Sequence, residues 1–293
     1  MKVAVIDVGS NTARLLVASV RGTSVTTLRE ERAYLALGEE VLRSGRISRR
    51  KLAETSKVVR AYAALADKLS VDLVEVIVTA PGRQSANGDV LVKALERAAR
   101  APVRVLTPEQ EGQLAYVGAV SCGGSMAAPI AVCDVGGGST ELVLGDPSGL
   151  PTWWRSVETG SLRLTSGFLR SDPPTRSDLL GARAAVEQLF CSISPPRPQA
   201  ALATGGSARA LAKLVGKTLG EEELSAALVV VTKWPKAKLA KRFGIDPPRA
   251  RTLAAGALIL TEVVGRLGVP LELARGGLRE GAAFALSAER VAA

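Results

Sequence analysis

Val5-Ile6-Asp7-Val8-Gly9-Ser10-Asn11-Thr12 and Val132-Cys133-Asp134-Val135-Gly136-Gly137-Gly138-Ser139-Thr140 are two versions of one pattern. Each is an apolar β-branched run, an aspartate, a loop of small residues and a second β-run, Arg14 to Val20 in one and Glu141 to Leu144 in the other. A third β-run follows each hairpin, Ser24 to Tyr34 and Trp153 to Val157. Asp134 stands 127 positions after Asp7, about the length of one domain. The repeat predicts two similar domains, 1–123 and 124–293, with the boundary at Cys122-Gly123-Gly124-Ser125.

Outward from these hairpins, strands and helices alternate. Ser48 to Leu69 has helical periodicity, with Leu52, Val59, Tyr62, Ala63 and Ala66 on one face. Val74 to Thr79 is an apolar β-branched run, as buried strands are. Helices are expected at Asp89 to Arg100 and at Pro108 to Val120, around a strand at Val103 to Leu106. In the second half, helices at Ser161 to Leu169 and Arg176 to Phe190 precede a strand at Ala200 to Ala203. The rest reads as mostly helical, with a short strand at Leu271 to Ala274. An α/β pattern that begins with hairpins implies mixed sheets.

Composition narrows the chemistry. The 293 residues contain no histidine, which excludes Ser-His-Asp and Cys-His catalysis and His-ligated metals. General base work therefore falls first to a carboxylate. Cys122, Cys133 and Cys191 lack zinc-ligand spacing and are odd in number, so neither a metal knot nor a disulfide framework is expected, and a cytoplasmic setting is. No apolar run approaches the ~18 residues that span a bilayer, and the N-terminus enters a strand without a leader pattern. The net charge of +10 favours a polyanionic partner. Aromatics at 3% leave little for stacking bases, which counts against nucleic acid.

The two hairpins can do specific chemistry. Glycines let backbone N–H groups converge on an anion, and Gly136, Gly137 and Gly138 place no side chain in the way. Ser10, Thr12, Ser139 and Thr140 add hydroxyl donors. Asp7 and Asp134, at strand ends, can hold Mg²⁺ directly or through water, with Mn²⁺ as the alternative. Glu141 alternates with Thr140 to the other face of its strand, so a loop twist is expected to turn it to the metal. One Asp-x-Gly hairpin is an ordinary tight turn; two at domain spacing suggest a shared cleft for phosphate and a divalent cation. Thr204-Gly205-Gly206-Ser207 opens a helix, where free N–H groups and the helix dipole attract anions. Gly216-Lys217-Thr218 imitates the end of a P-loop, but Leu211 stands where its first glycine belongs and no strand precedes it.

Asp7-Val8-Gly9-Ser10-Asn11-Thr12 with Arg14-Leu15, and Asp134-Val135-Gly136-Gly137-Gly138-Ser139-Thr140-Glu141, resemble the phosphate loops of the exopolyphosphatase/guanosine pentaphosphate phosphatase family. The resemblance runs along nearly the whole chain. It implies an actin-like, sugar-kinase-like ATPase (ribonuclease H-like) fold, two similar domains with mixed sheets around a central cleft. Thr79 to Asn87 resembles the stretch that puts an arginine in the cleft, here Arg83. Glu109-Gln110-Glu111 with Leu114 resembles the segment carrying the proposed catalytic base, here Glu111. Gly160 to Thr165 with Arg163, Gly205-Gly206-Ser207 and Gly277-Leu278-Arg279-Glu280-Gly281 resemble further signatures. Departures are Pro81-Gly82, Ser85 and Gly112-Gln113, where the family usually has other residues, and the absence of the C-terminal helical extension of some members.

The resemblance implies a hydrolase that removes terminal orthophosphate from inorganic polyphosphate. Asp134, Glu141 and Asp7 would hold Mg²⁺. Ser10, Asn11, Thr12, Gly136 to Thr140, and Gly205 to Ser207 would hold phosphate. Arg83 would neutralise charge on the transferred group, Glu111 would activate water, and Arg163, Arg209 and Arg279 would guide the polyanion. Guanosine pentaphosphate is the alternative substrate, and a homodimer is expected from resemblance alone. Two further readings are a sugar or acetate kinase, for which no adenine pocket is evident, and a catalytically inactive polyanion-binding or sensor protein.

Overall fold

The apolar run behind Asp7 forms β1 (Lys2–Val8), antiparallel to β2 (Thr12–Arg21), which is antiparallel to β3 (Ser24–Tyr34). This is a computed structural model; it describes residues 1–22, 24–123 and 126–292, with side chains through 289. After the hairpins come α1 (Leu37–Ser44), α2 (Arg49–Lys68), β4 (Leu73–Val78), α3 (Ala80–Gln84), α4 (Gly88–Ala99), β5 (Val103–Val105) and α5 (Pro108–Ser121). β1 pairs in parallel with β4, and β4 with β5, so the sheet order is β3-β2-β1-β4-β5.

The pattern then restarts. β6 (Ile130–Val135), β7 (Thr140–Gly145) and β8 (Pro151–Val157) form a second antiparallel meander. They lead into α6 (Ser161–Phe168), α7 (Arg176–Phe190), β9 (Ala200–Thr204), α8 (Gly205–Val215), β10 (Thr218–Leu219) and α9 (Glu221–Lys233). The chain closes with α10 (Lys236–Phe243), α11 (Pro247–Arg251), α12 (Leu253–Leu267), β11 (Leu271–Leu273) and α13 (Leu278–Ala292). β6 and β9 are parallel, as are β9 and β11, giving the order β10-β11-β9-β6-β7-β8. Without the edge strand β10, order and directions match the first sheet.

The chain divides into two units, Met1–Cys122 with Gly276–Ala293, and Gly123–Arg275. The expected second domain, 124–293, therefore ends too late: α13 belongs to the first unit. The reason is burial. Ala282 and Ala283 of α13 are fully buried with Val3, Val5, Leu16 and Ile77 on one face of the first sheet. Burying that face removes apolar surface from water, which a solvated helix would leave exposed. The sheet's other face packs Ala4, Ile6, Val8, Leu15 and Val17 against α2 and α4 through Val59, Tyr62, Leu91 and Leu95. Of the expected boundary segment, Gly124 and Ser125 lie outside the described residues.

In the second unit, α12 is apolar over most of its surface and is buried from Leu253 to Leu260, among the side chains that cover β6 and β9. Two helices go beyond the sequence expectation. α1 begins at Leu37 after a left-handed residue, Ala36, and α3 begins with Ala80-Pro81 directly after β4. Gly216-Lys217-Thr218 is the C-cap of α8 running into β10, which removes any P-loop reading. Among the described residues, no helix is long and apolar enough to cross a membrane.

Candidate active site

In the first unit the hairpin turn is closed by the Gly9 N–H donating to Thr12 O at 2.9 Å. Ser10 O accepts from Gly38 N at 2.7 Å, and Asn11 O accepts from Leu35 N and Ala36 N. These bonds pin the loop's carbonyls to the segment that opens α1. Across a trans peptide the carbonyl and the next N–H point in opposite directions. The amides of Asn11 and Thr12 therefore point away from that contact. Ser10 and Asn11 are buried, and Asn11 Nδ2 has no hydrogen-bond partner among the described residues. Asp7, at the end of β1, faces Arg14 across the β1–β2 ladder, on the same side as Val3 and Val5.

Arg83 and Glu111 are brought together. Arg83 comes from α3 and Glu111 from the first turn of α5, and Arg83 Nη1 lies 2.9 Å from Glu111 Oε2. The same nitrogen donates to Leu106 O at 2.5 Å. Glu111 is buried although it begins a helix otherwise capped in the open by the reciprocal Thr107–Gln110 box. The unusual residues nearby have local explanations. Pro81 suits the start of α3, where an N–H has no helical partner, and Ser85 Oγ donates to Pro81 O at 2.7 Å to close that helix. Asn87 spans to Ile47, accepting from its N–H and donating to its carbonyl, both at 2.9 Å.

Arg279 was expected to meet substrate. The structure gives it partners inside the first unit: Glu30 Oε1 at 2.7 Å, Glu280 Oε1 at 3.8 Å and Leu15 O at 3.4 Å. It is 4% exposed. Its segment instead brings two helices close. A Cβ on Gly118 would collide with Gly277 O, and one on Gly281 with Leu114 O, so α13 lies backbone to backbone on α5. Leu114 and Gly118 follow Glu111 at helical spacing on that face.

In the second unit, Asp134 and Glu141 are direct cross-strand partners in the β6–β7 ladder. Directly opposed side chains share a face, so no loop twist is needed to bring Glu141 to Asp134. That face carries Val132 and Val143, while Cys133 and Leu142 point to the core. Glu141 Oε1 accepts from Ser156 Oγ of β8 at 2.8 Å. Burial pushes the Cys133 thiol well above its ordinary range, and the carboxylates of Asp134 and Glu141 push it the same way. Cys133 therefore stays protonated and is no nucleophile.

The Gly136–Ser139 loop turns back through Gly136 N donating to Ser139 O at 3.0 Å. Gly136 O accepts from Ser161 N, and Gly137 O accepts from Leu162 N and Arg163 N at 3.0 Å. The loop carbonyls thus satisfy the first N–H groups of α6, while the amides of Gly137 and Gly138 point away from that helix. Gly160 permits the approach: its Cβ would lie 2.5 Å from Gly137 C. Thr140 is held on the core side by donating to Thr159 O at 2.6 Å. Arg163 Nε is buried without a hydrogen-bond partner among the described residues.

Gly205 and Gly206 open α8 with no side-chain cap from Thr204. Gly205 has φ +85°, and a Cβ there would lie 2.5 Å from Asp134 Oδ1, so the backbone of α8 starts against that carboxylate. A Cβ on Gly206 would lie 2.5 Å from Arg249 Nη2, and Arg249 Nη1 donates to Ser207 Oγ at 3.4 Å. Arg249, on α11, covers this loop and was missed from the sequence; its only local signal was the helix start Asp246-Pro247-Pro248. Arg209 lies further along α8, half-buried.

The donor set suits a hard divalent cation in one place. Asp134 and Glu141 present oxygens on one face, and the missing Cβ of Gly205 leaves room at Asp134 Oδ1. Like charges directly opposed across a ladder are destabilising, and a cation between them would relieve this. Among the described residues no group of three or more His, Cys, Asp or Glu side chains gathers as metal ligands. Mg²⁺ commonly takes one or two carboxylates and completes its shell with water and phosphate, so two suffice. Asp7 belongs to the other unit.

Two meander-led mixed sheets of one strand order, each offering an Asp-Gly hairpin, define an actin-like ATPase fold. The Ppx/GppA phosphatase family model matches residues 16–289, and the chain belongs to that family. Exopolyphosphatase 2 of Mycobacterium tuberculosis is 31% identical over 295 residues, covering 91% of each chain. Exopolyphosphatase 1 of Mycobacterium leprae is 27% identical over 299 residues, covering 96% of this chain and 88% of the other. The Aquifex aeolicus family member superposes with TM-score 0.83 at 27% identity, over 99% of this chain and 98% of that one.

Proposed function

We propose that the chain is an exopolyphosphatase, releasing orthophosphate from the end of inorganic polyphosphate. The observation that carries this reading is the buried Glu111 carboxylate held by Arg83 at 2.9 Å on the first turn of α5. The two loops, whose amides point away from their own carbonyl contacts, and the curated relatives named exopolyphosphatases support it. In this reading the amides of Asn11, Thr12, Gly137 and Gly138 and the hydroxyls of Ser10, Thr12, Ser139 and Ser207 bind and orient the phosphoryl oxygens, while the Thr140 hydroxyl is held by Thr159 O. Arg163, with a buried Nε that has no hydrogen-bond partner among the described residues, adds a cationic donor. Arg83 fixes the direction of the Glu111 carboxylate, which takes a proton from water as its oxygen attacks the terminal phosphorus. The bridging P–O bond breaks, and its electrons stay on the shortened chain as an anionic oxygen. Asp134 and Glu141 would hold Mg²⁺, or alternatively Mn²⁺, which supplies charge neutralisation at the phosphate oxygens when bound.

The test is orthophosphate release in Mg²⁺ from polyphosphate of several lengths, guanosine pentaphosphate and ATP, beside Glu111→Gln. The reading expects release from polyphosphate, reduced ~10²–10⁴-fold in the variant, the usual share of a general base. Preference for guanosine pentaphosphate would move the chain to the nucleotide side of its family. No release from any of them would leave a polyanion-binding protein.

A further inference from the structure

α10 is a cationic surface without counter-charge. The stretch 232–245 holds Lys233, Lys236, Lys238, Lys241 and Arg242 and no acidic residue. All five side chains are exposed, while Leu239 and Ala240 face inward. Among the described residues none of the five is within ion-pair distance of a carboxylate. Their recorded side-chain contacts are aromatic. Lys238 Nζ lies 3.3 Å from the Trp234 ring centre, Lys233 Nζ 5.7 Å from it, and the Arg242 guanidinium 5.8 Å from the Phe243 ring centre. The acidic groups nearby are Asp172, whose Oδ1 accepts the Lys236 backbone N–H at 2.9 Å, and Asp246 beyond the helix end.

Helix stability explains only part of this. Lys241 and Arg242 are in the last turn, where the macrodipole favours positive charge. Lys236 and Lys238 occupy the first and third helical positions, where it disfavours positive charge. Lys238 is compensated by its contact with Trp234, whereas Lys236 stands against the dipole with no ion-pair partner among the described residues. The surface also continues inward: α10 packs on α11, α11 packs on α8, and Arg249 of α11 covers Gly206 beside the Asp134 loop.

We propose that Lys233, Lys236, Lys238, Lys241 and Arg242 bind the chain of long linear polyphosphate, as a secondary site on the second unit separate from the two glycine loops. The proposal rests on the exopolyphosphatase reading for the identity of the polyanion. Polyphosphate and nucleic acid both carry one charge per phosphate, but a nucleic acid also needs an open aromatic face for its bases, and Trp234 is already covered by Lys238. Such a site is expected to lower the KM for long chains and to leave triphosphate unaffected.

The test is the double variant Lys236→Glu and Lys238→Glu in the full chain. Both changes put acid in the first turn of α10, which favours the helix and offsets the lost Lys238–Trp234 contact, and a thermal melt of the double variant separates lost binding from unfolding. Long polyphosphate and tripolyphosphate are titrated without Mg²⁺ across a salt series. Long-chain binding should weaken about tenfold, and its log–log salt slope should fall by roughly 1.4, from ~0.7 per single-strand phosphate contact. Tripolyphosphate binding and its hydrolysis with Mg²⁺ should be unchanged. Unchanged long-chain affinity in a folded double variant overturns the proposal, as does tighter wild-type binding to single-stranded DNA of equal length. If the wild type releases no orthophosphate, the exopolyphosphatase reading fails, and the binding titration still decides the surface on its own.

Discussion

Arg83 Nη1 touches both Glu111 Oε2 and Leu106 O, so one guanidinium nitrogen ties α3, the end of β5 and the first turn of α5 together. Arg83→Lys keeps the charge but loses the planar fork. We expect kcat to fall about 10- to 100-fold with KM little changed, because a displacement of ~1 Å in a reacting group can cost ~10²-fold. Steady-state kinetics on polyphosphate checks this. A raised KM with kcat unchanged would mean that Arg83 chiefly binds substrate.

Gly205→Ala should damage the Asp134 side of the site. The substitution places a side chain at φ +85° and a Cβ 2.5 Å from Asp134 Oδ1. Left-handed backbone costs an L-residue ~1–2 kcal/mol. The expected result is a lower melting temperature and a higher Mg²⁺ concentration for half-maximal phosphate release. A Mg²⁺ titration unchanged from wild type would separate Asp134 from the cation.

Gly281→Ala should reach Glu111 from a distance in sequence. Its Cβ would collide with Leu114 O, one turn along the α5 face from Glu111. Overpacking of this kind costs ~1–3 kcal/mol, and here the obstacle is backbone. We expect a destabilised protein with reduced turnover, read by thermal melting and by activity at a temperature well below the melt. Full activity with a lowered melt would confine the glycine's role to stability.

Glu40 gives a pH dependence. Burial alone raises its pKa, but hydrogen bonds from the Ser48 N–H and hydroxyl, with Arg50 and Arg43, outweigh this and hold it below 4.5. A carboxylate with a lowered folded pKa stabilises above its unfolded pKa and loses that contribution as pH falls through the folded value. Glu40→Gln should therefore destabilise at pH 7, and the difference from wild type should shrink as pH falls below 4.5. Ser48 also caps α2 by accepting from Lys51 N at 3.2 Å, so Ser48→Ala should cost ~0.5–2 kcal/mol. A constant pH offset between wild type and Glu40→Gln would reject the linkage.

Much of this was legible because the hairpins are local. Strand, aspartate, small loop and strand lie within about twenty residues, and register follows from the turn. Asp134 opposite Glu141 could have been derived in the same way: the turn Gly136–Ser139 fixes their pairing, whereas counting faces from Thr140 alone did not. α13 was assigned to the wrong unit because its partners, Val3, Val5 and Leu16, lie at the other end of the chain, and an amphipathic helix does not encode which sheet it covers. Arg279 was placed at the polyanion only by the resemblance of its segment to a family signature; its pairing with Glu30 depends on that same long-range docking. Arg249 was invisible because its position over Gly206 is set by how α11 packs on α8.

The placement of α13 has a consequence for how the protein is made. On the ribosome, the first unit emerges early but lacks its last helix until residues 278–292 follow. The second unit, later in sequence, has all its strands before then. α5, with Glu111 on its first turn, waits without its packing partner while the later unit completes. Loss of residues 278–292 by proteolysis would therefore strike the earlier-synthesised unit, and the emergence of α13 is the step that completes the packing of α5.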